Sequence, residues 1–211
     1  MIQTWQFLVN EPREVASALT VLSLDEREQA ERFHFERDRL RYVLAHAGLR
    51  RILSLCLGSK PESLQFSVSS HGKPFLTHDP ALQFNLSHSG DYAFVGAGGE
   101  APLGVDIECE RETTYLEPTA KRVLTPVELE VFFAAPASRR LSAFTTYWTR
   151  KEAIMKATGL GIGLDPATFA VHSWDDRNPA TLTLPDGSSW RLEDVPAPAG
   201  YRAALAVERS S

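Results

Sequence analysis

Cysteine is scarce in this chain: of 211 residues, only Cys56 and Cys109 carry a thiol. Two cysteines build neither a disulfide framework nor a zinc site. Long hydrophobic runs are missing too, and none approaches the ~20 residues of a membrane span. The first residues, MIQTWQFLVNEPRE, have no basic start and only a short apolar stretch, so they do not read as a secretory signal. Positive charge is in deficit. The net charge is −5 and the sequence pI about 5.7, which excludes a global basic field for nucleic acid. Thirteen glycines and thirteen prolines are too few for a collagen-like or low-complexity chain. These absences leave a soluble, reduced, cytoplasmic protein of one domain or two small ones, with no nucleic-acid or membrane partner. A chain of this length buries a core without staples.

Residues 2–9 (IQTWQFLV) read as a strand, and Pro12 opens a helix with Val15, Leu19 and Leu22 on one face. Ser23 and Glu26 have capping-box spacing for a second helix. A third helix is expected over 38–57, with Leu40, Val43, Leu44, Ala47 and Leu55 as its apolar stripe and Gly58 as its stop. Residues 64–69, 82–87 and 92–97 read as strands. The order then restarts. Residues 103–109 (LGVDIEC) read as a strand, and Thr125-Pro126-Val127-Glu128 combines an N-cap, a first-turn proline and a capping box. A longer helix runs from about 138 to 158 and stops at Gly159. Strands are expected at 168–172, 180–184, 188–195 and 201–207, with Asp186-Gly187 as a hairpin turn. The repeated order predicts an α+β fold of two similar halves, 1–101 and 102–211, each a small antiparallel sheet with packed helices.

Several segments carry residues suited to chemistry. In GVDIE (104–108), Asp106 and Glu108 share one strand face, while Val105 and Ile107 point the other way, into the core. Adjacent carboxylates repel. Unless the face is solvated, they need a cation or a held proton, and oxygen ligands alone suit magnesium or calcium. In WTRKEAIMKATGLG (148–161), Trp148, Glu152 and Lys156 share a helix face. They read as a surface ion pair or as the wall of a cleft, whereas Lys151, one step round, reads as a solvent residue. FNLSHSGDY (84–92) ends in Ser87-His88-Ser89-Gly90, a polar turn suited to a phosphate. HGKPFL (71–76) is a tight turn bearing one exposed ammonium, Lys73. Lysine is rare, five residues against seventeen arginines, and three of the five fall in these segments. Arginines crowd 27–51, mostly as solvated helix faces, but Arg37 and Arg41 stand one turn apart and could reach an anion together.

Each segment alone is weak; their joint presence in this order is not. GKPF, FNLSHSGDYA, GVDIE and WTRKEAIMKATGLG together resemble the 4′-phosphopantetheinyl transferases. The likeness is to the pseudo-dimeric, surfactin-synthetase-activating type that serves peptide and polyketide synthetases. The tryptophan-bearing last motif with its KEA also looks like the branch found with fatty-acid, polyketide and heterocyst-type enzymes. The resemblance implies a monomer of two similar α+β halves with the active site at their interface. The implied reaction moves the phosphopantetheine arm of coenzyme A onto a serine of an acyl, peptidyl or polyketide carrier protein and releases 3′,5′-ADP.

At matching positions the resemblance implies that Asp106, Glu108 and Glu152 hold magnesium on the pyrophosphate and that Lys156 contacts the phosphates. Lys73, Ser87 and His88 would bind coenzyme A, His88 near its 3′-phosphate, and Arg37 matches a nucleotide-contacting position. Glu152, or a water it orients, is the first choice of base for the carrier serine; Lys156 would serve only if burial lowered its pKa. The carrier is expected between the halves, near helices at 116–134. Some members of the family place lysines where this chain has Glu26 and Gln29, which leaves Arg32, Arg37 or Arg41 to replace them. Two other readings stay open. One is a different magnesium-dependent phosphoryl-transfer enzyme using the same carboxylates; the other is a non-catalytic module that docks carrier proteins.

Overall fold

The first strand, β1 (Gln3–Leu8), has its half-buried residues, Trp5, Gln6 and Phe7, together in its middle, in a computed structural model that describes residues 1–209. Three helices follow: α1 (Val15–Val21), α2 (Leu24–Glu31) and α3 (Glu36–Leu57). Ser23 caps α2 in a full capping box with Glu26, satisfying two backbone donors that the helix leaves unpaired. Gly58, at φ 63°, ends α3 in the left-handed conformation that glycine adopts without strain. Strands β2 (Phe66–Val68) and β3 (Pro74–Leu76) form a hairpin. Strands β4 (Phe84–Ser89) and β5 (Tyr92–Ala97) join β1 in an antiparallel sheet of order β1-β5-β4.

The second half repeats the plan. Strand β6 (Leu103–Cys109) precedes α4 (Leu116–Val123), α5 (Pro126–Ala134) and α6 (Arg140–Thr158). Strands β7 (Ala180–Thr183), β8 (Ser189–Val195) and β9 (Tyr201–Glu208) complete an antiparallel sheet of order β6-β9-β8-β7. The α+β, two-half architecture is therefore the observed one. Strands β4 and β6 are edges of their sheets and lie side by side, so the halves meet along them. Phe94 from the first half packs there with Leu103, Val105, Ile107 and Leu205. Burial of each such side chain contributes roughly 1.5–3 kcal/mol.

Helix α6 lies on β6 and β9. Gly104 permits this approach: a Cβ there would collide with the α6 backbone at Ala153 and Ala157. The close approach brings the α6 side chains to the carboxylates of β6.

Two elements depart from expectation. Leu55 is not part of the apolar stripe of α3; it is 80% exposed. The helix serves two clusters, Val43, Leu44 and Ala47 at one end, then Leu49, Ile52 and Leu53 at the other. Its buried face shifts between them and leaves Leu55 outside. Residues 168–172 are not a strand. Phe169 and Val171 are buried alternately, as in a strand, but side chains rather than a neighbouring strand hold their backbone: Lys151 bonds the Phe169 carbonyl and Glu128 takes the Val171 N–H.

Candidate active site

The site grows from the seam between the halves. In the antiparallel pairing of β6 with β9, alternate N–H groups of β6 point away from β9. Those of Val105, Ile107 and Cys109 are taken by side chains of β4: Asn85 Oδ1 at 2.9 Å, Ser87 Oγ at 3.4 Å and Ser89 Oγ at 3.2 Å. Asn85, Ser87 and Ser89 share one face of β4 because side chains alternate along a strand. The seam is thus a ladder of side chain to backbone.

Two of its rungs also bind carboxylates. Ser87 Oγ donates to Asp106 Oδ1 at 2.7 Å, and Ser89 Oγ donates to Glu108 Oε2 at 2.8 Å. From α6, Lys156 Nζ reaches Asp106 Oδ1 at 2.6 Å and Ser87 Oγ at 2.9 Å. Asp106 is 2% exposed, and its Oδ2 has no hydrogen-bond partner among the described residues. Burial, then the charge of Asp106, pushes the Glu108 carboxyl above the usual glutamate range, against the pull of Ser89, Lys156 and Trp148. Burial and Asp106 push Glu152 the same way, and Glu108 adds to it. Lys156 feels the opposite field. Burial opposes its charge, but Asp106, Glu152 and Glu108 outweigh that and carry its pKa above the ordinary lysine value. Trp148, Glu152 and Lys156 thus face the carboxylates of β6 and are not an isolated surface pair.

Three carboxylates face one ammonium here. The excess negative charge, the all-oxygen donor set and the unpartnered buried Oδ2 of Asp106 fit a hard divalent cation. Among the described residues no group of three or more His, Cys, Asp or Glu forms a ready-made metal cage. Magnesium characteristically takes one or two carboxylates and completes its shell with water and substrate phosphate.

Two cavities share Asn85 and Leu86 of β4, and the smaller one also reaches Lys156. The larger, about 760 Å³, is lined by Glu26, His46, Arg50, Phe66, Pro74 and His88, among others. Arg50 is 1% exposed and donates to Glu26 and to the carbonyls of Pro61 and Leu64. Glu26, at the position compared above with family lysines, is held below its ordinary pKa by His46, Ser23 and Arg50, against burial. His88 sits on the cavity wall; desolvation by its surroundings, then the charges of His46, Lys156 and Arg41, depress its pKa. The smaller cavity, about 190 Å³, is lined by His71, Gly72, Lys73, Met155, Lys156 and Gly159.

The ammonium of Lys73 is not exposed as expected. It donates to the carbonyls of Leu103 and Ala157 at 2.9 Å each, tying β6 to α6, and burial lowers its pKa to about 8. Arg37 stays on the outside of α3, its side chain 70% exposed, 3.5 Å from Asp38. Arg41 does not join it toward an anion; it pairs with Asp91 at 2.7 Å.

Lys151 is not a solvent residue. It is fully buried, 2.8 Å from Glu128, and donates to the carbonyls of Pro166 and Phe169. Arg150 beside it is equally buried and binds Asp194 and the carbonyls of His172, Ser173 and Asp176. Asn85, Ser89 and Gly104 lie inside the motifs read from the sequence, but their parts in the seam are visible only here. The alternation of Asn85, Ser87 and Ser89, polar residues on one strand face, is the signal that marks the first two.

Two family models match the chain: the 4′-phosphopantetheinyl transferase superfamily over residues 102–206, and the 4′-phosphopantetheinyl transferase N-terminal family over residues 4–100. The 4′-phosphopantetheinyl transferase HetI of Nostoc sp. is 36% identical over 76% of this chain and 70% of its own length. The 4′-phosphopantetheinyl transferase psf-1 of Bacillus pumilus is 35% identical over 84% of this chain and 74% of its own. A solved holo-(acyl-carrier-protein) synthase of Bacillus anthracis, in complex with CoA (3′,5′-ADP), aligns at TM-score 0.40 and 20% identity over 52% of this chain and 96% of that one. That likeness is too low to bear on the site.

Proposed function

The chain belongs to the 4′-phosphopantetheinyl transferase superfamily, and from that premise we propose that it loads carrier proteins from coenzyme A. The acceptor is a serine of an acyl, peptidyl or polyketide carrier, and 3′,5′-ADP leaves. One observation carries this reading: three carboxylates and Lys156 converge at the seam between the halves, and a cavity of about 760 Å³ that suits the nucleotide end of coenzyme A opens on the same strand, β4, at Asn85 and His88. Residues 1–101 and 102–211 are the two halves. The surfactin-synthetase-activating type, with Trp148 and the Lys151-Glu152-Ala153 run, is the branch we assign. A single cytoplasmic chain, a pseudo-dimer in itself, is the working unit.

Asp106, Glu108 and Glu152 are the residues that would hold magnesium, whose charge supplies neutralisation of the pyrophosphate and of the leaving ADP oxygen. Lys156 stays protonated, as its raised pKa favours, and contacts the phosphates. Its charge makes it a poor base. Glu152 is the better one, directly or through a water: its raised pKa suits acceptance of the serine proton as the oxygen–phosphorus bond forms. Ser87 and His88 bind coenzyme A, His88 from the wall of the larger cavity, and Arg37 reaches the nucleotide end from outside. Lys73 acts from the wall of the smaller cavity, where it also anchors α6. The carrier docks near α4 and α5.

The test is direct. Apo carrier proteins are incubated with the protein, coenzyme A and magnesium, and then weighed. A mass gain of one phosphopantetheine, absent when the carrier's acceptor serine is alanine, supports the reading. No gain on any of a broad panel of carriers overturns it, as does labelling that persists without the serine.

A further inference from the structure

Glu108 belongs to the second half, but its carboxylate is held by the first. Ser89 accepts the Cys109 N–H and donates its own proton to Glu108 Oε2, so one hydroxyl spans a backbone donor and a carboxylate. Ser87 does the same one rung earlier, for Ile107 N–H and Asp106 Oδ1, but its oxygen also takes the Lys156 ammonium. Ser89 has no such cation. Its place is set by the turn that follows it. Gly90 has φ 56°, and a Cβ there would collide with the Tyr201 hydroxyl, which in turn accepts the Asp91 N–H at 3.1 Å. The end of β4 is thereby pinned against β9, and the Ser89 hydroxyl has little freedom to leave Glu108.

We propose that Ser89 is a positioning residue. It acts through Glu108 and fixes the side-chain orientation with which that carboxylate meets a divalent cation. The cation site then depends on β4 as well as on β6, so the two halves are coupled through it. This rests on the reading of Asp106, Glu108 and Glu152 as cation ligands. Groups that orient a metal-binding carboxylate characteristically change metal affinity about 10- to 100-fold when removed.

The experiment measures manganese binding directly, by the loss of the free-ion paramagnetic resonance signal, on the full chain without carrier or coenzyme A. Ser89→Ala is expected to weaken binding about tenfold. Ser89→Thr, which keeps the hydroxyl, should stay within about threefold of wild type. The same Ser89→Ala change is then made in a Glu108→Ala background, where it should have no further effect, because the double-mutant cycle isolates the pairwise coupling. Melting curves establish that each variant is folded. Wild-type affinity in Ser89→Ala overturns the proposal. So does an equal loss with and without Glu108, which would make Ser89 only a bond across the seam. A wild-type protein that binds no manganese but still loads carriers overturns the cation site and the proposal while leaving the proposed reaction standing.

Discussion

Lys151 and Lys156 stand five residues apart on α6, each against a buried carboxylate, and they do opposite things. Around Lys151 everything is satisfied. Its ammonium has Glu128 and two carbonyls; Glu128 in turn takes the N–H groups of Thr125 and Val171. Charges cancel, donors match acceptors, and the cluster ties α5 and the 165–171 segment to α6. Around Lys156 the balance fails. One ammonium faces three carboxylates, two of them pushed up in pKa, and an oxygen of Asp106 has no partner among the described residues. A buried ion pair that is complete holds a fold. One that carries charge in excess is where the proposed divalent cation would be held.

The comparison can be broken, starting with its largest consequence. Lys151→Ala leaves Glu128 buried without its cation, so stability should fall by about 3–5 kcal/mol in urea unfolding, with the turnover of the remaining folded molecules unchanged. Loss of turnover without loss of stability would make Lys151 part of the site. Asp106→Ala should do the reverse. Carrier loading should drop about 100- to 1,000-fold while the melting temperature holds or rises, because the lost contribution is charge stabilisation at the pyrophosphate. A near-wild-type rate in magnesium would remove Asp106 from the chemistry.

Arg37→Ala sharpens the boundary of the site. If Arg37 reads the 3′-phosphate, the KM for coenzyme A should rise about tenfold, and that for dephospho-coenzyme A, which lacks the group, should not. Equal effects on both substrates would return Arg37 to its exposed pairing with Asp38.

The smallest effect concerns pH. Glu108 and Glu152 have folded pKa values raised above 4.5, so their ionisation at neutral pH opposes folding. Stability of the metal-free protein should therefore rise as pH falls through those raised values. The carboxylates Glu26 and Asp194, with lowered pKa values, act in the opposite sense, and their stabilisation is lost only at lower pH, through their folded values. Magnesium should raise the melting temperature by a few degrees at about pH 8 and by less at about pH 5, where protons already relieve the repulsion. A magnesium shift that is the same at both pH values would mean that the cation binds elsewhere.

Much of this was legible beforehand for a local reason. Capping boxes at Ser23 and Thr125, stops at Gly58 and Gly159, and the alternation of GVDIE act over a few residues, so the chain displays them directly. What stayed hidden needed a distant partner. Residues 168–172 alternate like a strand, but whether such a segment joins a ladder depends on a neighbouring strand, and here Lys151 and Glu128 take that place. The turn at Lys73 looked exposed because its two carbonyl partners lie 30 and 84 residues away.

By itself the sequence determined that there are two α+β halves, that Asp106 and Glu108 share a face, and that Glu152 and Lys156 share another. The halves follow from the repeated order of elements, and the shared faces from the periods of strand and helix, which are properties of the backbone alone. The resemblance implied that those two faces work together, but only the tertiary structure shows how they meet. Gly104 lets α6 settle on β6, and the hydroxyls of β4 close the seam from the other half. It also decided which lysine is a clasp and which faces a charge still to be matched. That choice turns on how many acceptors surround each ammonium, which depends on packing between segments far apart in the chain.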